Sequence, residues 1–209
     1  MKETRVLLLR HAETSAPERF HGAESDVGLG PRGFHQAEMV ARTLSALRPD
    51  ALYCSAMRRA RETAEVIGRA CGLVPGIEPD LHERKMGPLS GMSREDGLDA
   101  YSEAKRRWMA GEIGYTHEGG ESYAQIRDRV VPVFRRLADS SAGRTVVVVA
   151  HGVVIRVLLG TLLEGRGPAD FERYRIDNAA VNDLRFDGTT WTAAALNRGA
   201  GPVDDALYW

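Results

Sequence analysis

Residues 145–152 read Thr-Val-Val-Val-Val-Ala-His-Gly, and no other stretch constrains the architecture as tightly. Four consecutive β-branched side chains favour extended backbone, and a run without polar alternation belongs to a strand covered on both faces. The apolar run stops at Ala150, and a histidine and a glycine come immediately after it. Residues 153–163 are then apolar nearly all round apart from Arg156, which predicts a deeply packed helix. A doubly covered strand that feeds a buried helix is the building unit of a parallel α/β sheet.

Residues 5–9 (RVLLL) and 51–54 (ALYC) are shorter runs of the same kind. Three further stretches carry apolar residues at helical spacing. Phe34, Ala37, Val40 or Ala41, Leu44 and Leu47 form one face, and Met57, Ala60, Ala64, Ile67 and Cys71 a second. Tyr123, Ile126, Val130, Phe134 and Leu137 form a third. Near the end, residues 181–186 and 191–196 flank Asp187-Gly188, a hairpin signal. The expectation is one α/β domain over residues 1–209, with a mostly parallel central sheet, helices on both faces and a C-terminal hairpin. Residues 81–120 interrupt the strand–helix rhythm. They are rich in glycine and charge, with one helix around 98–109, and read as a lid-like insertion.

Composition narrows the function. Lys+Arg number 28 against 29 Asp+Glu, a net charge of −1, which argues against nucleic acid as a partner. Any anion recognised must therefore meet a local cluster of positive charge. The two cysteines, Cys54 and Cys71, are too few for a disulfide framework and read as core residues. No apolar run approaches the ~20 residues that span a bilayer, so no membrane partner is expected. The opening residues lack signal-peptide anatomy, and a cytoplasmic protein is expected.

The residues just beyond each strand carry the chemistry. After residues 5–9 comes Arg10-His11-Ala12-Glu13-Thr14, after 51–54 comes Ser55-Ala56-Met57-Arg58-Arg59, and after 145–150 comes His151-Gly152. In an open parallel sheet the carboxyl ends of the strands share one edge, and ligands bind beyond it. Three strand-to-helix junctions would thus bring Arg10, His11, Arg59 and His151 together, beside helix N-termini that favour anions. Phosphate fits such a pocket best. A histidine after a strand is more often a structural hydrogen-bonding group, but two of them among two arginines serve no purpose in a core. Two histidines and a carboxylate also suggest a metal site, yet the two arginines would repel a dication. No metal and no cofactor are expected.

These residues also carry a family resemblance. Leu9-Arg10-His11-Ala12-Glu13-Thr14 resembles the "RHG" signature of the histidine phosphatase (phosphoglycerate mutase-like) superfamily. The segment from Ser55 to Ala64 resembles its S-x-L-x-R-A-x-x-T-A stretch, with the second arginine at Arg59. Leu81-His82-Glu83 followed by Gly87 and Gly91 is similar to the stretch that supplies the acid. Gly119-Gly120-Glu121-Ser122 and Ala150-His151-Gly152 match two further landmarks. The resemblance implies that His11 is the nucleophile and becomes a phosphohistidine. It implies that Arg10, Arg59 and His151, with Thr14 and Gly152, hold the phosphoryl oxygens. Glu83 would protonate the leaving oxygen and then activate water, while His21 and Arg84 would contact the substrate. Asp80, Glu118 and Glu121 lie in similar loops and compete with Glu83 for the acid's role.

The chain departs from the pattern in three places, one of them an extra residue between Gly22 and Asp26. Ala12 stands where a glycine is usual. Pro17 stands where many members carry a phosphate-contacting asparagine, and proline offers neither an amide nor a backbone N–H. Arg19, His21 or the backbone near Gly22 are the expected substitutes. Ser55 reads as a phosphate contact or, more commonly, a helix cap. Glu13 reads as a brace for an arginine, and His35, His82 and His117 as bystanders. Arg84 could instead form a surface salt bridge.

The expected activity is hydrolysis of a small phosphomonoester, with a homodimer compatible. The runner-up is a mutase that returns the phosphoryl group to the same molecule, which calls for a closed basic lid. Lys105, Arg106 and Arg107 in the insertion read as a solvated helix face but would suit such a lid. A third reading is a non-catalytic phosphate-binding module. The apolar residues 206–209 are expected to dock on the body or on a partner.

Overall fold

Six strands form one sheet in the order β3-β2-β4-β1-β5-β6 in the computed structural model, which describes residues 2–199. They are β1 (Thr4–Arg10), β2 (Ala51–Ser55), β3 (Gly76–Glu78), β4 (Thr145–Ala150), β5 (Val181–Phe186) and β6 (Trp191–Arg198). β1, β2, β3 and β4 pair in parallel, and β5 pairs antiparallel with β1 and β6. The sheet is thus mostly parallel and closes with the expected hairpin. Asp187 Oδ1 accepts the N–H groups of Thr189 and Thr190 in its turn. Only β3 lacks a signal in the sequence: three residues are too short for a pattern, and its Ile77 is exposed. Residues 206–209 lie outside the described residues.

Alternation along the strands explains the two layers of helices. Val6, Leu8, Val146, Val148 and Ala150 enter one core, with α4 (Tyr123–Asp139) and α5 (Gly152–Leu162). Leu7, Leu9, Val147 and Val149 enter the other, with α1 (Pro31–Ala46) and α2 (Arg58–Cys71). Both faces are buried, as the unbroken valine run requires. Among the described residues no helix is long and apolar enough to cross a membrane.

Three helical faces differ from expectation. Phe34 and Leu47 are exposed, and the buried face of α1 runs through Gly33, Ala37, Val40, Ala41 and Leu44. The reason is a close approach: a Cβ on Gly33 would stand 1.9 Å from the Glu13 carbonyl, so α1 is turned to put the glycine there. Cys71, at the end of α2, is only half-buried, whereas Cys54 is buried. In the insertion, α3 (Arg94–Met109) starts earlier than periodicity suggests, because Ser93 caps it by accepting the Asp96 N–H, and Leu98 faces solvent. Fully buried Trp108 roots this helix in the core, edge-on to Tyr123 and Phe171. Phe20 packs with Met86, Leu89, Met92 and Tyr101 of the insertion in a separate small apolar cluster.

Candidate active site

Strand register assembles the site. Arg10 pairs with Ala150, and Cys54 with Val149, so β1, β2 and β4 end side by side. His11, Ser55 and His151 all leave this one edge. α2 and α5 begin within three residues of their strands, as expected. β1 does not feed a helix: α1 begins only at Pro31, and residues 11–30 form a long loop instead. That loop bends back where Gly30 donates its N–H to the Glu13 carbonyl.

His11 and His151 are both buried, with ring centroids 5.2 Å apart. His11 Nδ1 lies 2.7 Å from the Ala12 carbonyl oxygen. A carbonyl can only accept, so Nδ1 carries the hydrogen and Nε2 keeps its lone pair. Burial, then the fields of Arg59 and Arg10, hold the His11 pKa well below the ordinary imidazole value. The backbone here is clamped from two sides. Ala12 donates its N–H to Thr63 Oγ1 on α2, and Asn178 Nδ2 donates to the His11 carbonyl. Ala179 donates its N–H to the Arg10 carbonyl from a left-handed conformation, φ 56°. That conformation costs a non-glycine residue about 1–2 kcal/mol, so the surroundings must enforce it.

Arg59 is completely buried. Its Nη1 donates to the Ser25 carbonyl at 2.9 Å and its Nη2 to the His21 carbonyl at 3.2 Å. Burial lowers its pKa to about 10, which leaves it cationic at neutral pH. Arg10 donates from Nη1 to the Ile176 carbonyl, and burial followed by the charge of Arg156 lowers its pKa. Gly152 abuts Arg10: a Cβ there would meet the Arg10 Nε at 3.6 Å. Three buried nitrogens in this cluster, Arg10 Nε, Arg59 Nε and His151 Nδ1, have no hydrogen-bond partner among the described residues. Buried polar groups are rarely left so, and the two guanidinium donors among them suit an anion.

Glu83 reaches the same edge from the insertion. Its Oε1 accepts the Arg84 N–H at 2.8 Å and its Oε2 the Val153 N–H at 3.2 Å, at the start of α5. Its charge is felt at both Arg10 and Arg59. The competitors are elsewhere. Asp80 and Glu118 are exposed. Glu121 pairs with Arg129 at 2.8 Å; burial pushes its pKa up, but the Arg129 hydrogen bond and the Lys85 N–H bring it below the usual value.

The outer residues differ more from expectation. Arg84 is fully buried rather than paired at the surface. It donates from Nε to the Glu121 carbonyl and lies 4.5 Å over the Trp108 ring. Its Nη2 lies 3.3 Å from His117 Nδ1, so His117 is more than a bystander. His21 holds Ser25 Oγ and the Ala16 carbonyl with its two ring nitrogens. Its ring braces the loop, and its carbonyl receives Arg59. Thr14 is buried in a bridge to Leu29, and Glu13 pairs with Arg32 at 3.7 Å.

Each of the three expected substitutes for the missing asparagine is engaged elsewhere. Arg19 bonds the Gly91 carbonyl, the Gly22 N–H bonds Ser90, and the His21 ring braces the loop. The Pro17 carbonyl instead accepts Arg94 Nε at 2.8 Å, and the charge of Arg94 reaches Arg10 and His21. Sequence reading misses Arg94, because nothing local marks it. It also misses Arg156, whose signal was available: a lone cation in an apolar helix needs acceptors, here the Tyr174 carbonyl at 3.0 Å. Ser55 is not the cap of α2, a position held by Met57; its hydroxyl faces His151.

Buried Arg59, half-buried Arg10, two depressed imidazoles and a carboxylate thus gather on the carboxyl edge of a parallel sheet, a setting that suits an oxyanion. The chain belongs to the histidine phosphatase superfamily (branch 1), whose family model matches residues 6–199. It is 34% identical over 192 residues to phosphoglycerate mutase-like protein 4 of Arabidopsis thaliana, covering 90% of this chain and 82% of that one. It is 32% identical over 194 residues to the metal-independent phosphoserine phosphatase of the same plant, covering 90% and 79%. The solved structure of a mycobacterial glucosyl-3-phosphoglycerate phosphatase superimposes with a TM-score of 0.81 at 27% identity, covering 95% of this chain and all of that one. The protein is thus a phosphatase-class enzyme of that superfamily, in which mutases also occur.

Proposed function

We propose that the protein is a metal-independent phosphomonoesterase acting on a small phosphorylated metabolite through a phosphohistidine at His11. The observation that carries this reading is the Nδ1–Ala12 hydrogen bond, which turns the Nε2 lone pair of a neutral, buried imidazole into the available nucleophile. Arg10 Nε, Arg59 Nε and His151 Nδ1 supply three donors to the phosphoryl oxygens, where negative charge is spread in the transition state. Nε2 attacks phosphorus as the bond to the ester oxygen breaks, and Glu83 gives that oxygen its proton. Glu83 then takes a proton from water, which attacks the phosphohistidine and frees His11.

The lid favours hydrolysis over return of the phosphoryl group. Its basic trio is already engaged by carboxylates: Lys105 pairs with Glu172, Arg106 with Glu103, and Arg107 with Glu103 and Glu112. These three cations are therefore not a free basic ceiling that could retain a bisphosphate. The two unpaired cysteines agree with a reducing, cytoplasmic setting.

The test is turnover of p-nitrophenyl phosphate near pH 6 in EDTA, with base-stable phosphohistidine trapped in denaturant. A panel of phosphomonoesters is then assayed for free phosphate and isomerised product. Hydrolysis with a trapped phosphohistidine is expected. Isomer without free phosphate would make the enzyme a mutase, loss of activity in EDTA would make it metal-dependent, and phosphate binding without turnover would make it a binding module.

A further inference from the structure

His151 and Ser55 are both completely buried, 96 positions apart in the chain, and His151 Nε2 lies 2.8 Å from Ser55 Oγ. The other ring nitrogen, Nδ1, is buried without a partner among the described residues. A neutral imidazole has one N–H, and its tautomer decides which nitrogen donates. His151 is held neutral: burial above all, then Arg59 on α2, His11, His82 and Arg10, depress its pKa well below the ordinary value. Glu83, whose Oε2 accepts the Val153 N–H, is the carboxyl group at this end of α5.

Ser55 breaks the tie between tautomers. Its Oγ already accepts the Met57 N–H at 3.3 Å, a group that can only donate. Among the described residues, the hydroxyl hydrogen has a single acceptor within reach, His151 Nε2. If Nε2 instead carried the ring hydrogen, that hydroxyl hydrogen would be buried without an acceptor. Nδ1 would then turn a lone pair toward the phosphoryl oxygens. Donation from Ser55 to Nε2 satisfies both groups and leaves Nδ1–H free for the anion.

We propose that Ser55 is a positioning residue that fixes the Nδ1–H tautomer of His151, so that a neutral histidine still donates to the phosphoryl group. This rests on the phosphoryl-transfer reading of the pocket, but its first test does not require turnover. Nitrogen-15 NMR of the resting protein reads the tautomer directly: Nδ1 as the protonated nitrogen supports the proposal, and Nε2 overturns it. A failure of phosphohistidine trapping would sink the phosphatase reading while leaving this measurement intact.

Kinetics supply the second test. In Ser55→Ala the ring loses its donor, and kcat is expected to fall about tenfold, the equivalent of one lost hydrogen bond. The deficit should shrink toward acid pH, because a protonated His151 carries hydrogen on both nitrogens whatever its neighbour does. Ser55→Thr, which keeps the hydroxyl, should restore most of the rate. A deficit of equal size at every pH, or no recovery in Ser55→Thr with the fold intact by circular dichroism, would overturn the proposal.

Discussion

The strand-end cluster and the insertion that carries α3 hold their charges in opposite ways. In the pocket, Arg59 is wholly enclosed, and the groups that hold its Nη atoms are main-chain carbonyls rather than carboxylates. In the lid, Arg106 and Arg107 stand nearer the surface and share Glu103, three and four residues away on the same helix. Carbonyls fix a guanidinium in place without cancelling its charge, so the pocket keeps a net attraction for an anion. Local ion pairs cancel charge and confer little rigidity. Substitutions should therefore act strongly in the pocket and weakly in the lid.

The sharpest contrast is expected at the nucleophile. His11→Ala should lower kcat by at least about 10⁴-fold, the scale of removing a covalent nucleophile, and abolish phosphoenzyme labelling. Retained labelling would move the nucleophile elsewhere. Next comes Arg59→Ala, for which kcat/KM should drop about 10²–10³-fold, the scale of one lost oxyanion donor. The Ser25 and His21 carbonyls also lose their donor, so faster hydrogen exchange across residues 21–25 should accompany the loss. A change confined to KM would mean that Arg59 only binds substrate.

Acid tests the pocket through stability. His11 and His151 titrate lower in the folded than in the unfolded chain. Unfolding therefore takes up protons below the unfolded value of about 6.5. Stability is fully present above that value and is lost as pH falls toward the depressed folded values. Melting temperature should be flat from about pH 7 to 8 and decline below about pH 6.5, and His11→Gln should make that decline shallower. An unchanged slope in the variant would show that His11 is not held neutral.

The sequence disclosed the pocket better than its surroundings, for a physical reason. Arg10, His11, Arg59 and His151 sit beside long apolar runs, so locating the strands located their ends. Glu83 comes from motif position, and the structure ties it to the same edge through the Val153 N–H. The Arg94–Pro17 and Ser55–His151 contacts join elements far apart in the chain and have no local periodicity, whereas Arg156 stood out as the one cation in an apolar helix. Phe34 is misplaced by periodicity because hydrophobicity marks a face only approximately, whereas Gly33 has to meet the Glu13 carbonyl. The α1 start escapes detection because residues 11–30 lack any repeating pattern, although Pro31 stands at its first turn.

The smallest expected effect tests the lid. The double variant Arg106→Ala/Arg107→Ala removes two cations but also frees Glu103, so the net charge of the helix changes while the pocket's own donors stay in place. Exposed pairs of this kind contribute little, and kcat on p-nitrophenyl phosphate should remain within about twofold of the parent. Raising salt should not enlarge the difference, because the Debye length of about 10 Å at ~0.1 M already screens surface charges from a buried site. A tenfold loss of kcat, or the disappearance of an isomerised product that the parent enzyme forms, would show that the lid cations reach the bound phosphate. The engagement of this trio by Glu103, Glu112 and Glu172 would then describe only the resting state, and the lid would have to exchange those pairs for substrate as it closes.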